Sequence, residues 1–143
     1  METGLKLEER ILTGIDLGES HFREFKSAFQ RRPDGSFEDR PIKDTCRDIG
    51  EVAVAFANAD GGELFVGVED DGIVTGLPEK ADYIEAMKNA YLNYVHNETP
   101  LPPPSIKVIE TNHRKVLYFQ ISKSTTHVHL TSAGRCLQRV TLP

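Results

Sequence analysis

The chain has 143 residues, of which 38% are hydrophobic and 27% charged, a balance that suits one globular domain with its own core and excludes a disordered segment. No apolar run approaches the roughly 20 residues that cross a bilayer, and the start, METGLKLEERIL, lacks the apolar stretch of a signal peptide, so the expected location is the cytoplasm. The formal net charge of −5 excludes a global basic field, so any nucleic-acid binding requires a local patch, a groove between two copies, or a metal held by acidic side chains.

In chain order, residues 5–14 predict a short amphipathic helix carrying Leu5, Ile11 and Leu12, with Gly14 as its stop. Residues 1–16 then form a helical extension to a domain spanning 17–143. Residues 19–29 predict an extended segment with Phe22 and Phe25, and 30–41 a polar loop with a PDG turn, closed by Pro41. The clearest helix is 42–59, where Ile42, Cys46, Ile49, Ala53, Phe56 and Ala57 recur at helical spacing. After NADGG, the run from Glu63 to Val68 predicts a strand buried on both faces, and Asp71-Gly72 a turn into a return strand at Ile73 and Val74. Residues 79–97 have a helical pattern that ends at ETPLPPP. Residues 105–122 predict a hairpin, and Cys136–Val140 a last strand. The fold class is α+β, or mixed α/β: one compact domain with a mixed sheet flanked by helices. Cys46 and Cys136 are expected as free thiols, and with no CxxC a structural zinc site has no support.

Three segments carry the chemistry. They are Glu19-Ser20-x-x-x-Glu24-Phe25-Lys26, the stretch from Ala55 to Gly62, and the stretch from Leu64 to Gly72. Gly61 and Gly62 allow a tight passage from helix to strand. The buried strand then delivers Glu69, Asp70 and Asp71 to its exposed end, where the core behind it fixes their position. Glu19 and Glu24 come from another segment. Three converging carboxylates suit a hard divalent cation, Mg²⁺ or Mn²⁺, which activates water and stabilises a phosphodiester transition state. On a straight strand Glu19 and Glu24 point to opposite faces, so convergence requires a bend between them or Glu19 in the preceding loop.

The segments ESxxxEFK, AFANxxGG and GVxDDG, in this order and spacing, resemble the Schlafen AlbA_2 domain over roughly residues 17–140, with the His127-x-His129 region and Arg139-Val140 similar to its last strands. The resemblance implies two functions. Prokaryotic members are described as DNA-binding domains attached to other modules, and animal Schlafen proteins include endoribonucleases that cut tRNA and rRNA with a three-carboxylate, divalent-metal site. Carried onto this chain, the carboxylates fall on Glu19, Glu24 and Asp70, which would be both catalytic residues and metal ligands. Position 69 is Glu where the family often has Asp. The animal nuclease core has two lobes around a groove, so the resemblance implies a homodimer here. It also makes an antiviral or toxin-like role thinkable.

The expected function is therefore a metal-dependent endonuclease on nucleic acid, with structured RNA such as tRNA favoured over DNA. The alternative is a non-catalytic DNA- or RNA-binding module that recruits nucleic acid or a partner for something larger. Lys26, Arg31 and Arg32 are the candidate nucleic-acid-binding residues, against a plain solvated loop. Asn58, Gly61 and Gly62 are expected to be structural. His127 and His129 lack a third ligand, Tyr91, Tyr94 and Phe119 fit a core better than base stacking, and no P-loop supports an ATP site.

Overall fold

The computed structural model describes residues 4–125 and 127–139. Strands β1 (Arg23–Lys26), β4 (Gly62–Val66), β5 (Ser105–Thr111) and β6 (Arg114–Ile121) form a mixed sheet in the order β1-β4-β6-β5. β1 and β4 run parallel, and the other two pairings are antiparallel. Parallel neighbours need a crossover. Here it consists of a small hairpin, β2 (Phe29–Arg31) with β3 (Phe37–Asp39), followed by helix α2 (Ile42–Ala57). Helices α1 (Gly4–Leu17), α3 (Ala81–Lys88) and α4 (Ala90–Asn93) complete the expected mixed sheet flanked by helices.

The period-two alternation of the strands divides the core. Leu64, Val66, Leu117, Phe119 and Ile121 pack with Cys46, Ile49, Ala53 and Phe56 of α2. Phe65, Val116, Tyr118 and Phe25 pack on the opposite face against Ile11 and Ile15 of α1. Leu64, Phe65 and Val66 are consequently all fully buried, as the apolar run predicted. Phe25, Phe65 and Tyr118 meet edge to face, with ring centroids 5.4 and 5.1 Å apart. Each such contact contributes about 0.5–1.5 kcal/mol beyond area burial.

Several elements differ from the sequence expectation. Helix α1 runs through Gly14 to Leu17. A Cβ on Gly14 would lie 2.7 Å from Cζ of Phe65, so this glycine serves close approach of helix to sheet and not a stop. The packing of Leu5 lies outside the described residues. A polar knot pins the same face. The Glu63 carboxylate accepts from Tyr118 Oη at 2.6 Å and Arg10 Nε at 3.2 Å, with Arg23 Nε at 3.5 Å. The polar loop 30–41 contains the β2–β3 hairpin, because the PDG turn closes a short ladder, with Asp34 accepting from the Ser36 amide and hydroxyl. Ile73 and Val74 form no strand beyond a single bridge from Val74 to Val68. The helix expected over 79–97 breaks at Asn89, whose side chain donates to the Glu85 carbonyl and competes with the helical ladder. The expected last strand at Cys136–Val140 is absent through Arg139, and Val140 lies outside the described residues. Residues 127–139 instead form a strap, joined to α4's end by one bridge between Thr131 and Val95.

Candidate active site

The route by which Glu19 and Glu24 meet is local. Ser20 and Arg23 exchange backbone hydrogen bonds at 2.9 and 3.2 Å, reversing the chain just before β1. Glu19 sits in that preceding loop and folds back, so that its Oε2 accepts the Phe25 amide at 3.2 Å. β1 is an edge strand, and this carboxylate satisfies one of its outward N–H groups. Glu24, on β1 itself, is mostly buried.

The acidic run at the end of β4 sorts itself by partner. Glu69 accepts from Thr75 Oγ1 at 2.7 Å, and Asp71 accepts from the Ile73 amide at 3.0 Å. Both are consumed in shaping the turn. The Asp70 side chain makes no hydrogen bond or ion pair among the described residues, and it is exposed. The Glu19 pKa is raised, first by loss of solvent, against the opposing Phe25 hydrogen bond, and then by the negative charges of Glu24 and Asp70. Glu19 therefore lies within electrostatic reach of carboxylates from two other segments.

An acid with a raised folded-state pKa binds its proton more tightly when folded. It stabilises the fold at pH below the ordinary glutamate range, and this contribution is lost as pH rises through the raised value. Glu24→Gln removes one of the neighbouring charges. Glu19 followed by NMR of its carboxyl carbon is then expected to titrate lower than in the parent protein. An unchanged titration would mean that the carboxylates do not share a site.

The donor chemistry, carboxylate oxygen alone, is of the kind that suits a hard dication. The arrangement is open, however. Among the described residues no group of three or more His, Cys, Asp or Glu side chains is disposed to hold a metal ion. Glu24 already has two cations. Arg139 Nη1 donates to its Oε2 at 2.7 Å, and Lys26 Nζ lies 3.5 Å from its Oε1.

The other two candidate basic residues part company. Arg31 lines an open groove of about 630 Å³ between the β2–β3 hairpin and the Glu69–Thr75 loop, whose other wall includes Asp70. Its guanidinium lies over the Phe37 ring, 5.2 Å from the centroid. Arg32 turns away to Glu38 at 3.0 Å. Arg31 and Lys26 thus flank the carboxylates, while Arg32 ties the hairpin together.

Sequence reasoning underrated two residues. Arg139 crosses from the strap to the site, donating also to the Ser20 carbonyl at 2.8 Å and resting 4.8 Å over the Phe56 ring. Its approach depends on Asn58, the asparagine of the AFAN segment, at the C-terminal end of α2. Asn58 Nδ2 donates to the carbonyls of His129 and Leu137 at 2.9 and 2.8 Å, and its Oδ1 accepts the His129 amide at 2.8 Å. Asn58 is structural, as expected, but it holds a distant segment and does more than end a helix. His129 belongs to the same arrangement: it is buried, with Nδ1 on the Thr99 carbonyl at 2.8 Å. Gly61, with φ of +77°, has the Ile121 carbonyl oxygen 2.7 Å from where a Cβ would be, so only glycine fits this passage beside β6. Phe119 is core, and Tyr91 and Tyr94 pack partly buried against it. No described helix is long and apolar enough to cross a membrane.

Comparison with known proteins gives two kinds of finding. A family model described as Schlafen, AlbA_2 matches residues 19–141. Two solved structures share the fold at 18% identity. One is the DIP2311 protein of Corynebacterium diphtheriae (TM-score 0.66), covering 95% of this chain and 25% of that one, so this chain spans a quarter of that protein's length. The other is the N-terminal domain of a protein from Nitrosomonas europaea described as related to the ATP-dependent DNA helicase RecG (TM-score 0.58), covering 94% of this chain and 88% of that domain.

Proposed function

The chain belongs to the Schlafen AlbA_2 family, and on that footing we propose that it binds nucleic acid and cleaves it as a divalent-metal-dependent endonuclease, with structured RNA such as tRNA as substrate. The observation that supports this reading is the effect of the Glu24 and Asp70 charges on Glu19, with Asp70 on the wall of a groove that also holds Arg31. The comparison with a helicase-related domain supports the nucleic-acid part.

In this reading Glu19, Glu24 and Asp70 hold Mg²⁺ or Mn²⁺, which when bound supplies an activated water and stabilises charge on the phosphodiester. The protein's own groups do the rest. Lys26, beside Glu24, steadies the scissile phosphate, and Arg31 holds a neighbouring phosphate in the groove. The Phe25 amide fixes the direction of the Glu19 carboxylate. Arg139 orients the Glu24 carboxylate by a charge-assisted hydrogen bond. Two copies facing each other across their grooves would double the basic surface that a chain of net charge −5 lacks alone.

A second reading, binding without cleavage, is favoured by one observation: the Arg139–Glu24 ion pair at 2.7 Å occupies a carboxylate that a metal needs. One assay separates the two. The purified protein is incubated with a tRNA pool and with single- and double-stranded DNA, in Mn²⁺, Mg²⁺ or EDTA. Discrete fragments that vanish in EDTA are expected. Intact nucleic acid throughout, with a salt-dependent mobility shift, would leave the binding module.

A further inference from the structure

We propose that the groove between the β2–β3 hairpin and the Glu69–Thr75 loop seats an unpaired base, with Phe37 as its stacking surface, so that single-stranded segments are the preferred ligand. This rests on the nucleic-acid reading above and narrows it to a class of substrate.

The starting point is an exposed aromatic outside the core. Phe25, Phe56, Phe65 and Phe119 are buried in the core, but Phe37 is 58% exposed. It lies on a hairpin whose strands have three residues each, where its cross-strand neighbour is Arg31. Across the groove stands Ile73, 60% exposed, on the loop that also carries Asp70. Two large apolar side chains therefore face the same open space from opposite walls. Its volume of about 630 Å³ falls within the roughly 300–1,000 Å³ of ordinary ligand sites.

The polar groups say what kind of flat, apolar ligand belongs there. Arg31 is the cross-strand partner of Phe37, and its guanidinium leans on the ring. Among the described residues Arg31 pairs with no carboxylate, and it is the one cation of a groove whose far wall carries Glu69, Asp70 and Asp71. An aromatic face joined to an unspent guanidinium matches a base joined to a phosphate. A duplex keeps its bases stacked on one another and offers this groove only sugar and phosphate, whereas an unpaired base presents its face. Asp70 lines the same groove, so the backbone of a strand seated on Phe37 passes beside the carboxylates.

The chain contains no tryptophan, which gives the proposal a clean test. Phe37→Trp puts a sole indole where the stacking face is. The protein is titrated in EDTA, so that metal and cleavage play no part, with a short oligouridylate and with an RNA duplex of the same length. Quenching of the indole by the single strand and not by the duplex is expected. In fluorescence anisotropy, Phe37→Ala should weaken oligouridylate binding about tenfold, and Phe37→Tyr should retain it, with circular dichroism of the variants unchanged. Equal binding of duplex and single strand, or a Phe37→Ala protein that binds like the parent, overturns the proposal and leaves the nuclease reading standing. Absence of binding to any nucleic acid overturns both.

Discussion

Asp70→Asn is expected to abolish metal-dependent cleavage, by at least about a hundredfold, while the protein melts within about 1 °C of the parent. The two halves of this result have separate causes. Asp70 is exposed and makes no hydrogen bond or ion pair among the described residues, so an isosteric amide removes no native contact. Surface changes of that kind usually stay within about 0.5 kcal/mol. Its charge, however, is one of the two that raise the Glu19 pKa. In the proposed mechanism its removal would take a ligand from the cation and lower the negative potential that attracts one. Glu69→Gln makes a useful contrast. Glu69 accepts from Thr75 Oγ1, so its loss should slacken the turn and cost some stability, with a smaller effect on cleavage. Cleavage by Asp70→Asn at the parent rate, measured with the same RNA and Mn²⁺, would remove the carboxylate mechanism.

The second large effect is on stability. Asn58→Asp should lower the melting temperature by about 10 °C at neutral pH, and by more than Asn58→Ala does. Asn58 gives two N–H donors to the His129 and Leu137 carbonyls and accepts one amide. Alanine forfeits all three bonds, at about 1 kcal/mol each. Aspartate retains the acceptor but sets a carboxylate oxygen against two carbonyl oxygens, which adds repulsion to loss. The deficit should shrink in acid, where the protonated side chain donates again. Thermal melts at two pH values check this, and equal melting of the Asn58→Asp variant and the parent protein would show that the strap is not held by this residue. Because the strap carries Arg139, both Asn58 variants should also loosen the ion pair with Glu24.

Some of this was legible from the residues in order. Helix α2 and strand β4 announce themselves, because a 3.6-residue period and a short unbroken apolar run leave few alternatives for burial. The three acidic positions could be named, and so could the glycines of the passage between α2 and β4. A hairpin with three-residue strands lay hidden inside a polar loop, since none of its side chains is buried and they carry no alternation. Gly14 looked like a stop because spacing cannot distinguish a helix end from a helix pressed against a ring.

What the sequence determined by itself was the class of fold and the family pattern, which follow from local periodicity and motif spacing. Only the tertiary structure decided which of Glu69, Asp70 and Asp71 keeps its oxygens uncommitted, because that depends on turn hydrogen bonds to Thr75 and Ile73. It alone decided that Glu19 reaches β1, by a reversal at Ser20–Arg23. It alone brought Arg139 to Glu24 across 115 positions of sequence, on a strap that Asn58, Thr99 and the end of α4 hold together. Contacts between distant segments leave no period in the chain.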